Sequence, residues 1–318
     1  MIYKLPSIDS IELNEKVVAI RANLDTIING SAPEHNQTIK SVISTISFLL
    51  TKNCKIIIMG TLGEPNSVIN DELSLMDVRF ALGNLLGKPT KFVNIKNSLN
   101  SIKFMNFGEI LVLENLKFNP EEVSEKQEDW QSLTEHLAKL VDVVVLDSVD
   151  IDYKSGSLKY LMKKKPVYLG LGLQKEIQLL KGYTKKKESK PNLLILGKEE
   201  SIGVDTKILK DFSSKFDYIF SENSDVASSK NLKSVKDLED LVPSLKSVVW
   251  MGVLEKDTQN VLEYLSLSVG KEVTKILGGR NLIEKLNHSK FKEKGISTIS
   301  ASGVNLINIL LGNEIKVN

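Results

Sequence analysis

Eleven short apolar runs, separated by longer stretches of helical periodicity, constrain this chain more than any other feature. The first series predicts strands at Val17–Arg21, Lys55–Gly60, Lys91–Asn94, Glu109–Glu114, Val141–Asp147 and Val167–Gly170. A second follows at Asn192–Gly197, Tyr218–Ser221, Ser247–Trp250, Val273–Leu277 and Ile296–Ser300. IIIM, VVVL and LLIL are unbroken, as expected of strands covered on both faces. Between them the spacing predicts helices at Thr38–Thr51, Leu75–Leu86, Asp129–Leu140, Asp205–Lys215, Thr258–Ser268 and Asn281–Phe291. Such alternation predicts an α/β fold with parallel sheets.

At 318 residues the chain is longer than one core usually fills, so two lobes are expected. The boundary falls at residues 172–190, where a helix runs into a lysine-rich stretch stopped by Pro191. The expected division is an N-terminal lobe over 1–171, an interlobe helix and linker over 172–190, and a C-terminal lobe over 191–318. A cleft between such lobes, at the carboxyl ends of the strands, is the natural ligand site.

A net charge of +2 gives no strong pull toward nucleic acid or membrane. The runs Lys163–Lys165 and Lys185–Lys187 are local exceptions that an RNA or acidic partner could use, although most such runs are solvated faces. Cys54 is alone, which excludes an internal disulfide and predicts a reducing compartment; beside an apolar strand it reads as a small buried hydrophobe. No run has signal-peptide character or membrane-spanning length, so a cytoplasmic protein is expected. Walker A, HExxH and CxxC patterns are lacking, and His35, His136 and His288 are scattered.

What rises above background is a series of segments in fixed order. RANLD (21–25) follows the first strand and NQTIK (36–40) opens the first helix. GTLGEP (60–65) follows the second strand and LENLKF (113–118) the fourth, and VVVLD (143–147) leads into SVDIDYKSGS. The second half contributes LILGKEE (194–200), SVVWMGVLE (247–255), LGGRN (277–281) and ISTISASG (296–303). Together they resemble a phosphoglycerate kinase from end to end. LENLKF, the MGTLGEP turn with the following LSLMDVRFALGNLLGKPTKFV, and the VVW…GG…ST order are the most specific pieces.

The resemblance implies two Rossmann-like lobes joined by a hinge helix, usually in a monomer. It implies 3-phosphoglycerate on the first lobe, Mg-ADP or Mg-ATP on the second, and hinge closure before transfer. Such transfer rests on positioning and on cations that neutralise the moving phosphoryl group. The family's RVDFN is RANLD here: Arg21 stands at a substrate-contacting arginine, and Asn23 and Asp25 exchange the motif's acid and amide. The arginine opening the first helix is Thr38, a degenerate catalytic position. In GTLGEP the family's histidine is Thr61 and its arginine is Glu64. Lys117 replaces the arginine of LENLRF, and Lys154 falls at or near a further one. Reversing a charge at ~4 Å amounts to several kcal/mol at an effective dielectric of about 20, so Glu64 is the most damaging change.

The nucleotide side departs further from the family. GGAKV is GKEESIGV, with Gly197 kept, Glu199 and Glu200 where phosphates would approach, and Lys198 as a displaced catalytic lysine. Lys207 matches a second lysine and Glu255 a ribose-binding glutamate. Gly278 and Gly279 persist from GGGDT, while its Mg-associated acid is Asn281. STGGG has become SASGV, and the C-terminus stops soon after Gly312. Of 42 basic residues only Arg21, Arg79 and Arg280 are arginine, the side chain whose fork grips phosphate bidentately.

Two functions follow from this pattern. One is a degenerate family member that has lost or nearly lost transfer and serves as a binding protein, holding 3-phosphoglycerate weakly and an unidentified protein or RNA. The other is a divergent working kinase whose site is rebuilt from Lys40, Lys117, Lys154, Lys198 and Lys207.

Overall fold

The computed structural model describes residues 5–25, 37–185, 190–197, 206–221, 232, 234–255, 260–261, 265, 273–279, 282, 298–300 and 303–312. These form two compact units, the first reaching Ile177 and the second starting at Gln178.

The first unit is built on a six-stranded parallel sheet, β1 (Val17–Arg21), β2 (Lys55–Met59), β3 (Thr90–Val93), β4 (Ile110–Leu113), β5 (Val143–Leu146) and β6 (Val167–Leu169). Their order is β3-β4-β2-β1-β5-β6. Ala19 pairs with Ile57 on one side and Val144 on the other, so β1 lies at the centre. The chain leaves β1 toward β2 and returns on the other side at β5. That reversal is where open parallel sheets place ligands. All four residues of β4 and of β5 are buried, which explains their unbroken apolar sequences.

The helices of this unit are α1 (Gln37–Thr51), α2 (Met76–Leu86), α3 (Ser98–Lys103), α4 (Pro120–Val123), α5 (Gln127–Leu140), α6 (Gly156–Lys164) and the start of α7 (Leu171–Lys185). Ile39, Val42, Ile46 and Leu49 of α1 recur every three or four residues and join Val18, Ile20, Ile56 and Ile58 in one core. Full burial of each such side chain stabilises by roughly 1.5–3 kcal/mol. Cys54 is buried, its thiol donating to the Leu13 carbonyl at 3.1 Å, and burial raises its pKa above the ordinary thiol value.

The second unit carries a five-stranded parallel sheet, β7 (Asn192–Leu196), β8 (Tyr218–Ser221), β9 (Ser247–Met251), β10 (Thr274–Gly278) and β11 (Thr298–Ser300), in the order β11-β10-β9-β7-β8. Among the described residues its continuous helices are the rest of α7 with α8 (Thr206–Ser213), α9 (Val235–Leu241) and α10 (Gly303–Leu311). Trp250, wholly buried, anchors a core with Leu193, Ile195, Val248 and Leu277. The helices expected at Thr258–Ser268 and Asn281–Phe291 fall largely outside the described residues. Among the described residues no helix is long and apolar enough to cross a membrane.

Candidate functional site

The carboxyl ends of β1, β2, β4 and β5 gather most of the residues singled out in the first unit. Arg21 is the last residue of β1 and pairs with Met59 and Leu146. Its side chain is 2% exposed, and Nη1 lies 3.5 Å from Glu122 Oε1, itself 1% exposed. Among the described residues, Nε and Nη1 have no hydrogen-bond partner. Glu122, on α4, also accepts from the backbone N and the hydroxyl of Ser157, both at 2.9 Å. It therefore caps α6 from outside, the task Ser155 does not perform at the N-cap. Asn23 and Asp25 are buried on the segment leaving β1, and the Asn23 Oδ1 accepts the Asp25 backbone N at 3.0 Å.

The GTLGEP turn is held by the LENLKF segment. Asn115, fully buried, donates from Nδ2 to the carbonyls of Leu62 (2.7 Å) and Leu73 (2.9 Å), and its Oδ1 accepts Lys117 N at 3.1 Å. Glu114 accepts the Ser74 hydroxyl at 2.7 Å and the Leu75 amide at 2.9 Å. Two adjacent side chains thus fasten two loops to the end of β4, which gives LENLKF, one of the most specific pieces of the sequence, a structural task. Gly63 sits at φ 58°, a turn conformation that favours glycine.

This clasp brings Glu64 and Lys117 together: Lys117 Nζ lies 2.5 Å from Glu64 Oε1 and 3.5 Å from the Gly63 carbonyl. Lys117 is 15% exposed and Glu64 65%. Thr61 stands half-buried on the same turn. Lys154 is exposed before α6, its backbone N bonded to Asp152 Oδ1 at 2.9 Å, and makes no ion pair among the described residues. Thr38 lies in the first turn of α1, but its side chain is outside the described residues; Lys40, two residues on, is exposed. Sequence reasoning missed Glu122: nothing local in PEEV marks it as the partner of a residue 101 positions away, although an acid buried at the start of a helix is the type of group that caps another.

In the second unit Gly197 follows β7 at the switch between β7 and β9. It packs so closely on the next loop that an added Cβ would lie 2.3 Å from the Val253 carbonyl oxygen. Its N donates to Met251 O at 2.8 Å. Gly278 ends β10 with its carbonyl accepting Gly252 N at 2.9 Å, and Gly279 follows, buried. Lys207 is exposed on α8 and Glu255 is exposed after β9. Lys198 and Asn281 lie outside the described residues. Among the described residues no group of three His, Cys, Asp or Glu could hold a metal ion.

The phosphoglycerate kinase family model matches residues 8–222. The chain belongs to the phosphoglycerate kinase family. It is 30% identical over 219 residues to the phosphoglycerate kinase of Wolbachia pipientis wMel, covering 68% of this chain and 53% of that protein. It is likewise 30% identical over 221 residues to the enzyme of Leptospira biflexa, covering 68% and 54%. With the enzyme of Bifidobacterium longum it shares 29% over 190 residues, covering 58% and 47%. The chain spans about half the length of the curated relatives it matches. Among solved structures, phosphoglycerate kinase from Pyrococcus horikoshii OT3 aligns with a TM-score of 0.72 at 18% identity, over 98% of this chain and 97% of that one. The enzyme from Coxiella burnetii aligns at 0.66 and 17% identity over the same shares. These two likenesses show the fold. The family match reaches β8, so the first unit and the beginning of the second carry the sequence kinship.

Proposed function

We propose that this phosphoglycerate kinase family protein has lost, or nearly lost, phosphoryl transfer and acts by binding. The observation that carries the reading is the Glu64–Lys117 ion pair at 2.5 Å. Lys117 stands where the family places a phosphate-gripping arginine, and here its ammonium already has a carboxylate. A phosphorylated acid entering the turn would have to displace Glu64 and then lie beside it. Arg21 supports the same conclusion, since its nearest anion is a buried side chain of the protein. Neutralised cations contribute little to a transition state that depends on unneutralised ones.

On this reading the first unit retains weak affinity for 3-phosphoglycerate. The lobe over residues 191–318 corresponds to the family's nucleotide-binding half, with α7 as the interlobe helix. Mg-ATP or Mg-ADP is a ligand only if the protein is a working kinase, and the macromolecular partner is a protein or an RNA. The reading places the protein in the cytoplasm as a monomer, a setting that suits its single buried thiol.

A divergent working kinase is the second reading. Lys40 and Lys154 favour it, being exposed and outside any ion pair among the described residues, so that they could serve as substitute cations. A coupled assay with 3-phosphoglycerate and Mg-ATP decides between the two. Turnover below a thousandth of an ordinary phosphoglycerate kinase is expected, and turnover above that level overturns the binding-protein reading. Calorimetry with Mg-ADP alone adds a separate check, in which micromolar affinity would show that the second lobe is still a nucleotide site.

A further inference from the structure

The Glu64–Lys117 pair leaves one side open, and that side has a definite polarity. Lys117 is anchored at its root, where its backbone N meets Asn115 Oδ1 at 3.1 Å, and its side chain is 15% exposed. A lysine ammonium has three donors. One goes to Glu64 Oε1 at 2.5 Å, and a second faces the Gly63 carbonyl at 3.5 Å. The third is left for a ligand. Glu64, 65% exposed, gives Oε1 to the lysine, and its Oε2 accepts no hydrogen bond among the described residues. One cationic donor and one anionic acceptor therefore stand side by side beyond the carboxyl ends of β2 and β4.

Such a pair sorts ligands by their charge pattern. A lone anion that reaches the third donor comes to rest beside Glu64. It gains from one charge and loses to the other at similar distance, so the two contributions largely cancel. A ligand with an ammonium next to its anionic group meets both with the favourable sign. The four charges then alternate, and the Glu64–Lys117 pair stays intact. Beyond β5, the strand on the other side of β1, an acid again neighbours a base. Asp152 and Lys154 are both exposed there, with Asp152 Oδ1 accepting the Lys154 backbone N at 2.9 Å. A purely anionic ligand thus finds no uninterrupted run of cations along this end of the sheet.

We propose that this site takes a small zwitterion, an acid bearing a phosphate or carboxylate together with an ammonium, in preference to a wholly anionic phosphorylated acid. Lys117 receives the anionic group and Glu64 the ammonium, so Glu64 sets the preference. The inference rests on the binding role proposed above and names the class of ligand bound.

O-Phosphoserine and 3-phosphoglycerate make the deciding pair, because the first carries an ammonium where the second carries a hydroxyl. Calorimetry on the full chain at low salt, without nucleotide, should show O-phosphoserine binding about threefold to fivefold more tightly, with both enantiomers measured and the tighter one counted. In Glu64→Gln the order should reverse, since 3-phosphoglycerate has the greater negative charge and only the cation then remains. Equal affinities in the parent, tighter binding of 3-phosphoglycerate, or no measurable binding of O-phosphoserine overturns the zwitterion class. An unchanged order in Glu64→Gln does so as well. A second measurement needs no variant: the side-chain resonances of Glu64 and Lys117 should both shift on adding O-phosphoserine, and a shift at neither, or at Lys117 alone, overturns the proposal. None of these outcomes bears on the loss of transfer, because nucleotide is left out; turnover in the coupled assay decides that separately.

Discussion

Arg21 and Glu122 meet as a buried ion pair, Nη1 to Oε1 at 3.5 Å, between the end of β1 and the first residues after the LENLKF segment. Removing one partner from such a pair leaves an uncompensated charge in the interior. Arg21→Met should lower unfolding free energy by about 3–5 kcal/mol. Arg21→Met/Glu122→Gln should recover most of that loss, because Glu122→Gln removes the stranded charge and can still accept from Ser157. Urea unfolding of the three proteins measures both. A cost below about 1 kcal/mol for the single variant would mean the pair carries no structural role.

The Glu64–Lys117 pair should behave differently, because Glu64 is 65% exposed. Glu64→Gln should change stability by less than about 1 kcal/mol. It should nevertheless free the ammonium for an incoming anion. Calorimetry with 3-phosphoglycerate at low salt should show an affinity gain of about tenfold or more for Glu64→Arg, with Glu64→Gln between it and the parent. Equal affinities in all three would show that Lys117 does not meet the ligand.

Asn115 fastens the loop through three hydrogen bonds from a fully buried position. Asn115→Ala leaves two carbonyls and one amide without these partners and should cost about 2–4 kcal/mol. Asn115→Asp keeps the acceptor for Lys117 N but loses both donations, and should be nearly as damaging. Thermal unfolding followed by circular dichroism suffices to rank them.

Gly197 has no room for a side chain against Val253. Gly197→Ala should destabilise the second unit by about 1–3 kcal/mol. Its effect should appear in amide exchange of β7 and β9 and leave β1 and β2 unchanged.

His136 gives the first unit a pH dependence that can be traced to one ring. Its Nε2 lies 2.9 Å from the Ile95 carbonyl and 3.0 Å from the Ser98 hydroxyl. Burial lowers its pKa below the usual imidazole value, and the Ile95 carbonyl opposes the shift. The unfolded chain then binds a proton on this ring more readily than the folded one. Stability from the neutral ring is present above the unfolded pKa of about 6.5 and is lost as pH falls below it. His136→Gln should flatten this part of the profile between pH 7.5 and 5.5, read as the difference in melting temperature between variant and parent.

The sheets were the most legible part of the chain because parallel strands buried on both faces must be apolar without interruption. VVVL and KIIIM are recognisable on that ground alone, and the observed strands end within two residues of the expected ones. Long amphipathic helices were equally readable: α1 begins one residue before the expected Thr38. Short helices were not, since SLNSIK and PEEV hold too few turns to show a period, and GVNLINILL is apolar nearly all round. At the site, motif order placed Arg21, Glu64 and Lys117 near strand ends but could not say which carboxylate each cation would meet. Glu64 and Lys117 are 53 positions apart, and Arg21 and Glu122 still farther, so only the fold makes them neighbours.

The Asn115 clasp fastens Leu62, Leu73 and Lys117 through main-chain atoms, indifferent to the side chains those loops display. A turn braced that way works as a socket whose fittings can be exchanged. Lineages descending from one ancestor could swap the displayed groups, from gripping to repelling and back, without relearning how to fold. The same tolerance offers a protein engineer a ready framework on which to restore a lost grip one residue at a time.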